Sequence, residues 1–177
     1  KNKIISNNKD LGLEYIKNAL SYKETGHCYY WLSYGYRIKN NPIKAYDSIK
    51  KALDLYVSEG NIISIVSCYE KLAEVYFMLD NYPDALTYLE MSLNIANKLN
   101  NKYFIEHLNS LIAWNYYRET KYDITLEYLS YNTGFMNHRN NIPDSIIECL
   151  VYFNTENKDE LRKSIKKLNN SDSLKHI

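Results

Sequence analysis

Tyr69-Glu70-Lys71-Leu72-Ala73-Glu74-Val75-Tyr76-Phe77-Met78-Leu79-Asp80-Asn81-Tyr82-Pro83-Asp84-Ala85-Leu86 is the stretch that decides the fold, because a shift of 40 residues in either direction recovers its skeleton. Leu32, Leu72 and Ile112 correspond, as do Ser33, Ala73 and Ala113. Tyr36, Tyr76 and Tyr116 repeat without change. Further on, Ala45, Ala85 and Thr125 align, followed by Ile49, Leu89 and Leu129. Tyr82 pairs with Tyr122 and Tyr88 with Tyr128, and the joints recur as Asn61, Asn101 and Asn141. Coincidences on this scale at one period mark an internal repeat, the signature of a stacked array.

Within a unit, Leu72, Ala73 and Tyr76, then Ala85, Leu89, Ser92 and Leu93, fall at helical spacing. The break between the two runs is short and polar, as in Lys39-Asn40-Asn41-Pro42 and Asp80-Asn81-Tyr82-Pro83. Asn41 before Pro42 reads as a helix cap with proline in the first turn, and Asn141-Ile142-Pro143-Asp144 offers a similar start. Each unit is therefore a helix, a tight turn and a second, antiparallel helix. Small residues at Ser33/Ala73/Ala113 and Ala45/Ala85/Thr125 let the two axes approach to the lower end of the usual ~8–10 Å. The chain is 177 residues long, 45% hydrophobic and 24% charged, with only five Gly and three Pro, a balance suited to one helical domain or a short array.

The pattern resembles the tetratricopeptide repeat (TPR), whose places are taken by Tyr69, Leu72, Ala73, Tyr76, Asp80, Tyr82, Ala85, Leu89, Ser92 and Leu93. It departs from that family in a unit of about 40 residues rather than ~34 and in lacking the proline that ends the second helix. Longer units of this kind are similar to the repeat domains of bacterial peptide-sensing regulators (the RNPP group). The resemblance implies an all-α fold, a right-handed superhelical solenoid of antiparallel helix pairs. It divides a single array into a partial unit over 9–26, full units over 27–60, 61–100 and 101–140, a degenerate capping unit over 141–170 and a tail over 171–177. In the partial unit Gly12, Ile16, Ala19 and Leu20 align on Ala45, Ile49, Ala52 and Leu53, as a second helix without its first.

In such a solenoid the first helices line a concave groove. Leu72, Ala73 and Tyr76 are committed to the core, so the opposite stripe carries Glu70, Glu74, Phe77 and Met78. Its equivalents are Tyr30, Tyr34, Arg37 and Ile38 in the preceding unit, and Ser110, Trp114, Tyr117 and Arg118 in the following one. His27, Ser67 and His107 extend it, and the only two tryptophans, Trp31 and Trp114, fall on or beside it. Candidate binding residues are Tyr30, Tyr34, Arg37, Glu70, Glu74, Phe77, His107, Trp114, Tyr117 and Arg118, with Asn109 and Asn115 placed to hydrogen-bond a peptide backbone. Aromatic and methionine walls suit an extended or helical peptide or protein segment. The same stripe in a long-helix repeat can also be buried against the next turn of the superhelix.

The carboxylate clamp of TPR co-chaperones needs Lys and Asn where this chain has Tyr30 and Tyr34, Glu70 and Glu74, and Ser110 and Trp114, so a chaperone tail is excluded. Glu70 and Glu74, four residues apart, read as a solvated face that favours a basic or amino-terminal group.

Net charge is +1, which gives no broad footprint for nucleic acid or membrane, and no run of 18 apolar residues exists. Cys28, Cys68 and Cys149 include no CxxC pair; they read as small buried fillers in a reducing, cytoplasmic setting. His27 and His107 lie two units apart and share no metal. The basic residues from Lys158 to Lys175 are interleaved with Asp159, Glu160 and Asp172 and read as a solvated capping helix. No nucleophile, phosphate loop or metal spacing points to catalysis, so no enzyme and no cofactor are expected. Lacking an initial Met, the chain reads as a piece of a longer protein or a processed form. The expectation is a peptide-sensing regulatory domain of a cytosolic signalling or transcription regulator, with a homodimer left open. The other reading is a constitutive scaffold without a small peptide ligand.

Overall fold

The computed structural model describes residues 2–133 and 143–170, with side chains placed for 11–133 and 143–169. Among these residues nine helices and no strands occur: α1 (Asn2–Tyr22), α2 (Gly26–Ile38), α3 (Pro42–Ser58), α4 (Ile62–Met78), α5 (Tyr82–Lys98), α6 (Lys102–Arg118), α7 (Tyr122–Ser130), α8 (Asp144–Asn154) and α9 (Lys158–Asn170). They divide into two compact units, one up to Ile95 and one from Ala96. The all-α expectation holds, with first helices α2, α4, α6 and α8 each followed by a second helix.

The helix starts are written in the sequence. Asn41, Asn61 and Asn101 each cap the helix that follows, their side-chain oxygens accepting from the N–H of Lys44, Ser64 and Phe104 at 3.1–3.2 Å. The recurring joint asparagines are thus caps as well as markers of period. Asn141 and Ile142 lie outside the described residues, and α8 starts differently: Pro143 precedes its first residue, Asp144, with no side-chain cap.

The helix ends follow a second rule. Asn40, Gly60, Asp80, Asn100 and Thr120 all have positive φ, between 50° and 66°, and stand 20 residues apart. Glu156 does the same after α8. Beyond each of them the chain donates an N–H back into the helix: Asn41 to Tyr36, Asn61 to Tyr56, Asn81 to Tyr76, Asn101 to Ala96, Lys121 to Tyr116 and Asn157 to Tyr152, at 2.9–3.0 Å. This is the six-to-one bond of a Schellman exit. Turns inside a pair and turns between pairs therefore share one geometry.

In the first unit, Leu13, Tyr29, Leu32, Ile49, Ala52, Leu53, Tyr56, Cys68 and Leu72 form the buried core. Leu13 of α1 sits on Gly35 of α2, where an added Cβ would lie 2.4 Å from Leu13 Cδ2, so a larger residue there requires the Leu13 side chain to move. Gly12 and Ala19 are exposed, unlike their aligned partners Ala45 and Ala52, because those places face a first helix that α1 lacks among the described residues. Tyr76 stacks on Tyr88 with centroids 5.5 Å apart and meets Tyr46 edge-on at 6.1 Å; Tyr69 also touches Tyr88. In the second unit Ala113, Leu129 and Ile147 form a smaller core flanked by Tyr128, and Tyr116 lies 5.7 Å from Tyr128. Tyr46, Tyr69, Tyr76, Tyr88, Tyr116 and Tyr128 thus serve as packing at the joints, whereas Tyr15, Tyr22, Tyr34, Tyr103 and Tyr131 are exposed. Cys68 is fully buried, Cys28 and Cys149 partly so. Ser92 occupies its small place by donating to the Val66 carbonyl at 3.1 Å.

Candidate functional site

In the first unit the predicted stripe lies on α2 and α4. Trp31 is 44% exposed and is ringed by edge-on contacts to His27, Tyr30 and Tyr34, at centroid distances of 6.0, 5.9 and 5.7 Å. Its indole N–H donates to His27 Nε2 at 3.0 Å, which fixes the ring. His27, Trp31 and Tyr34 meet because positions three and four apart share a helix face, and Tyr30 is the chain neighbour of Trp31. The Arg37 guanidinium lies 5.8 Å from the Tyr34 ring.

Beside this aromatic cluster stands a charge network that joins the two first helices. Arg37 of α2 pairs with Glu74 of α4, and Lys71 Nζ lies 2.8 Å from both Glu70 and Glu74. All four side chains are about one-fifth exposed or less. The expectation of a solvated acidic pair is therefore corrected: both carboxylates are largely buried and held by cations within the protein. Burial alone pushes the Lys71 ammonium down, but Glu74 and Glu70 outweigh it and hold it above its ordinary value. The Tyr30 phenol is raised by its burial, against the pull of the Lys71 ammonium. Lys71 did not figure among the expected site residues because it falls beside the stripe, and its long side chain reaches back to it. Phe77 is half-buried and packs near Tyr82 at 6.4 Å.

In the second unit Trp114 stacks on Tyr117 at 5.3 Å, with Arg118 at 6.0 Å from the Trp114 ring. Tyr117 also touches Tyr122 and accepts a hydrogen bond from Asn154 Nδ2 at 3.0 Å. Trp114, Tyr117 and His107 are half-buried, and Arg118 is exposed. The two asparagines do not serve as expected. Asn109 is buried and donates to Asn132 Oδ1 at 3.3 Å, and Asn132 in turn donates to Ser110 at 2.9 Å and Asp144 at 2.8 Å. Glu106 accepts from the N–H and hydroxyl of Thr133. Asn115 is wholly buried, and neither atom of its amide finds a partner among the described residues. Both asparagines are interior, on the side of α6 away from the aromatic pair.

Other candidates resolve simply. Most of the described charges of α9 are paired, Arg162 with Asp159, Lys163 with Glu160 and Lys167 with Glu148, while Lys158 and Lys166 enter no ion pair among the described residues; Asp172 and Lys175 lie outside them. Burial raises the Cys68 thiol to about 12, as a buried filler requires. Among the described residues no cluster of three His, Cys, Asp or Glu is placed to hold a metal, and no helix is long and apolar enough to cross a membrane.

No family model matches the chain, and no curated protein resembles it in sequence. Solved structures do resemble it in fold. A Rap protein complexed with competence and sporulation factor superposes with a TM-score of 0.74 at 17% identity, over 93% of this chain and 49% of that one. NprR in complex with its cognate peptide NprX gives 0.71 at 20% identity, over 90% and 49%. A Podosopora anserina protein with nearly identical TPR-like repeats gives 0.68 at 11%, over 95% and 87%. The chain spans about half the length of the Rap and NprR chains. At such identities the likeness is one of architecture, and the architecture is that of the tetratricopeptide-like helical repeats, shared with the Rap and NprR structures.

Proposed function

We infer that this chain is a non-catalytic peptide-binding repeat domain, the sensor or regulatory region of a cytosolic signalling or transcription regulator. The observation that carries this reading is the exposed cluster around Trp31. An indole nearly half open to solvent, held by three neighbouring rings, is an anchor of the kind that dominates peptide interfaces. The adjoining network contributes no net charge, since Arg37 and Lys71 balance Glu70 and Glu74, so recognition on this face rests on aromatic contact and on polar exchange with the four side chains. Trp114, Tyr117 and Arg118 give the second unit its own aromatic and cationic face, suited to an aromatic or carboxylate group. The peptides named with the Rap and NprR structures support a peptide as ligand class. Binding shifts the regulator by favouring the conformation in which these faces are engaged.

The test is a tryptophan-fluorescence titration with a library of short synthetic peptides, on the chain and on its Trp31→Phe and Trp114→Ala variants. A saturable change, lost in one or both variants with circular dichroism unaltered, supports the reading. A chain that ignores every peptide yet captures a folded protein is a constitutive scaffold instead.

A further inference from the structure

A second site lies away from the aromatic cluster, on the side of the first unit where α1 meets the turn between α2 and α3. A cavity of about 380 Å³ opens there, lined by Leu13, Glu14, Lys17, Tyr36, Lys39, Asn41 and Lys44. Its size falls within the usual small-molecule range of about 300–1,000 Å³. The repeat explains why it exists. Tyr76, the equivalent of Tyr36, is wedged between Tyr46 and Tyr88. Around Tyr36 those two places are taken by Leu13 and Ser48, so two rings are missing and the space they fill elsewhere stays open.

The charges differ as well. Three lysines, Lys17, Lys39 and Lys44, and one glutamate, Glu14, are among the lining residues, a formal excess of two positive charges. At the Tyr76 joint the corresponding residues are Lys50, Leu79, Asp84 and Asp47, an excess of one negative charge. The basic character thus belongs to this cavity and is not a feature of the repeat, nor of a chain whose net charge is only +1. Lys44 Nζ stands 5.7 Å from the Tyr36 ring centroid, and neither Lys17 nor Lys44 enters an ion pair among the described residues. Asn41 Oδ1 is committed to the Lys44 N–H, which leaves its amide hydrogens as donors to an incoming oxygen.

We propose that this cavity binds a small organic phosphate. A phosphate monoester carries about −1.5 to −2 charges at pH 7, matching the local excess, and three oxygens that accept from ammonium and amide donors. Leu13 and the Tyr36 ring provide the apolar wall for its organic part. The site is independent of the peptide face, so either can fail without the other.

Isothermal titration of the chain with phenyl phosphate, at physiological salt, tests it. The expected result is one-site saturable binding, weakened about tenfold in each of Lys17→Gln and Lys44→Gln, the loss of one charge-assisted contact. Benzoate, with the same ring and a single charge, binds more weakly. Both lysines are exposed, so the variants keep the helical circular dichroism of the parent. Absence of saturable binding, variants that bind as tightly as the parent, or benzoate binding as well as phenyl phosphate overturns the proposal.

Discussion

Asn115 places an amide where its repeat equivalents are Val75 and Gly35, and the described residues supply that amide with no partner. Burying an unsatisfied amide costs more than burying a methyl pair. Asn115→Val is therefore expected to stabilise the chain by about 1–2 kcal/mol, read as a higher urea midpoint. Lys71 is the opposite case. It balances two carboxylates that are both largely out of water, and Lys71→Met leaves them facing each other with Arg37 alone. The expected loss is about 1–3 kcal/mol, below that of a fully buried pair because each group keeps some solvent. An unchanged midpoint contradicts the network. Tyr34, Trp114 and Tyr117 follow from a 3.6-residue turn once Leu72 and Tyr76 are fixed as core, whereas Trp31, at the repeat place of Lys71, falls beside that stripe and was not among the expected binding residues. What period cannot say is whether a polar side chain on the flank of the stripe turns inward. Asn109 does so to meet Asn132, a residue beyond the repeat skeleton, and Glu70 and Glu74 do so because Lys71 and Arg37 are within reach.

The helices themselves obey two terminal rules, and only one is visible in residue types. Asparagine at 41, 61 and 101 announces a cap, and Asn61→Ala is expected to cost about 1 kcal/mol in the same urea assay. The exits are spelled Asn40, Gly60, Asp80, Asn100 and Thr120, four residue types in one left-handed conformation, so their 20-residue spacing emerges only from the backbone. Thr120 is the strained member, because a β-branched side chain is poorly accommodated at a φ of 60°. Thr120→Gly is expected to raise stability by about 0.5–1 kcal/mol, and a loss there shows that its side chain outweighs the strain. The short α7 was equally hidden: its equivalents α3 and α5 run for 17 residues, whereas α7 stops after nine, where Asn132 and Thr133 turn their side chains onto α6.

For the whole molecule, the tyrosine-rich joints set the response to pH. Tyr76 is raised to about 12, chiefly by burial and then by Tyr88 and Tyr46, and the Cys68 thiol is likewise raised to about 12 by burial. Each group is neutral in the fold at pH values where the unfolded chain ionises, from about 9 for the thiol and about 10 for the phenol. Their stabilisation is therefore complete below about pH 9 and is lost as pH climbs to about 12. Alkaline titration followed by tyrosinate absorbance and circular dichroism should show late-ionising tyrosines whose titration coincides with loss of helix. Tyrosines that all ionise near the ordinary value while helix persists contradict that packing.

The uniform exits at 20-residue intervals also bear on how such a chain changes length. Since the backbone leaves Gly60 and Asn100 in the same direction and enters the next cap through the same asparagine, excising the segment between them splices matching ends. Gene duplication or unequal recombination in steps of one unit then adds or removes a hairpin without inventing a new junction, and selection is left to act on the side chains that each copy displays.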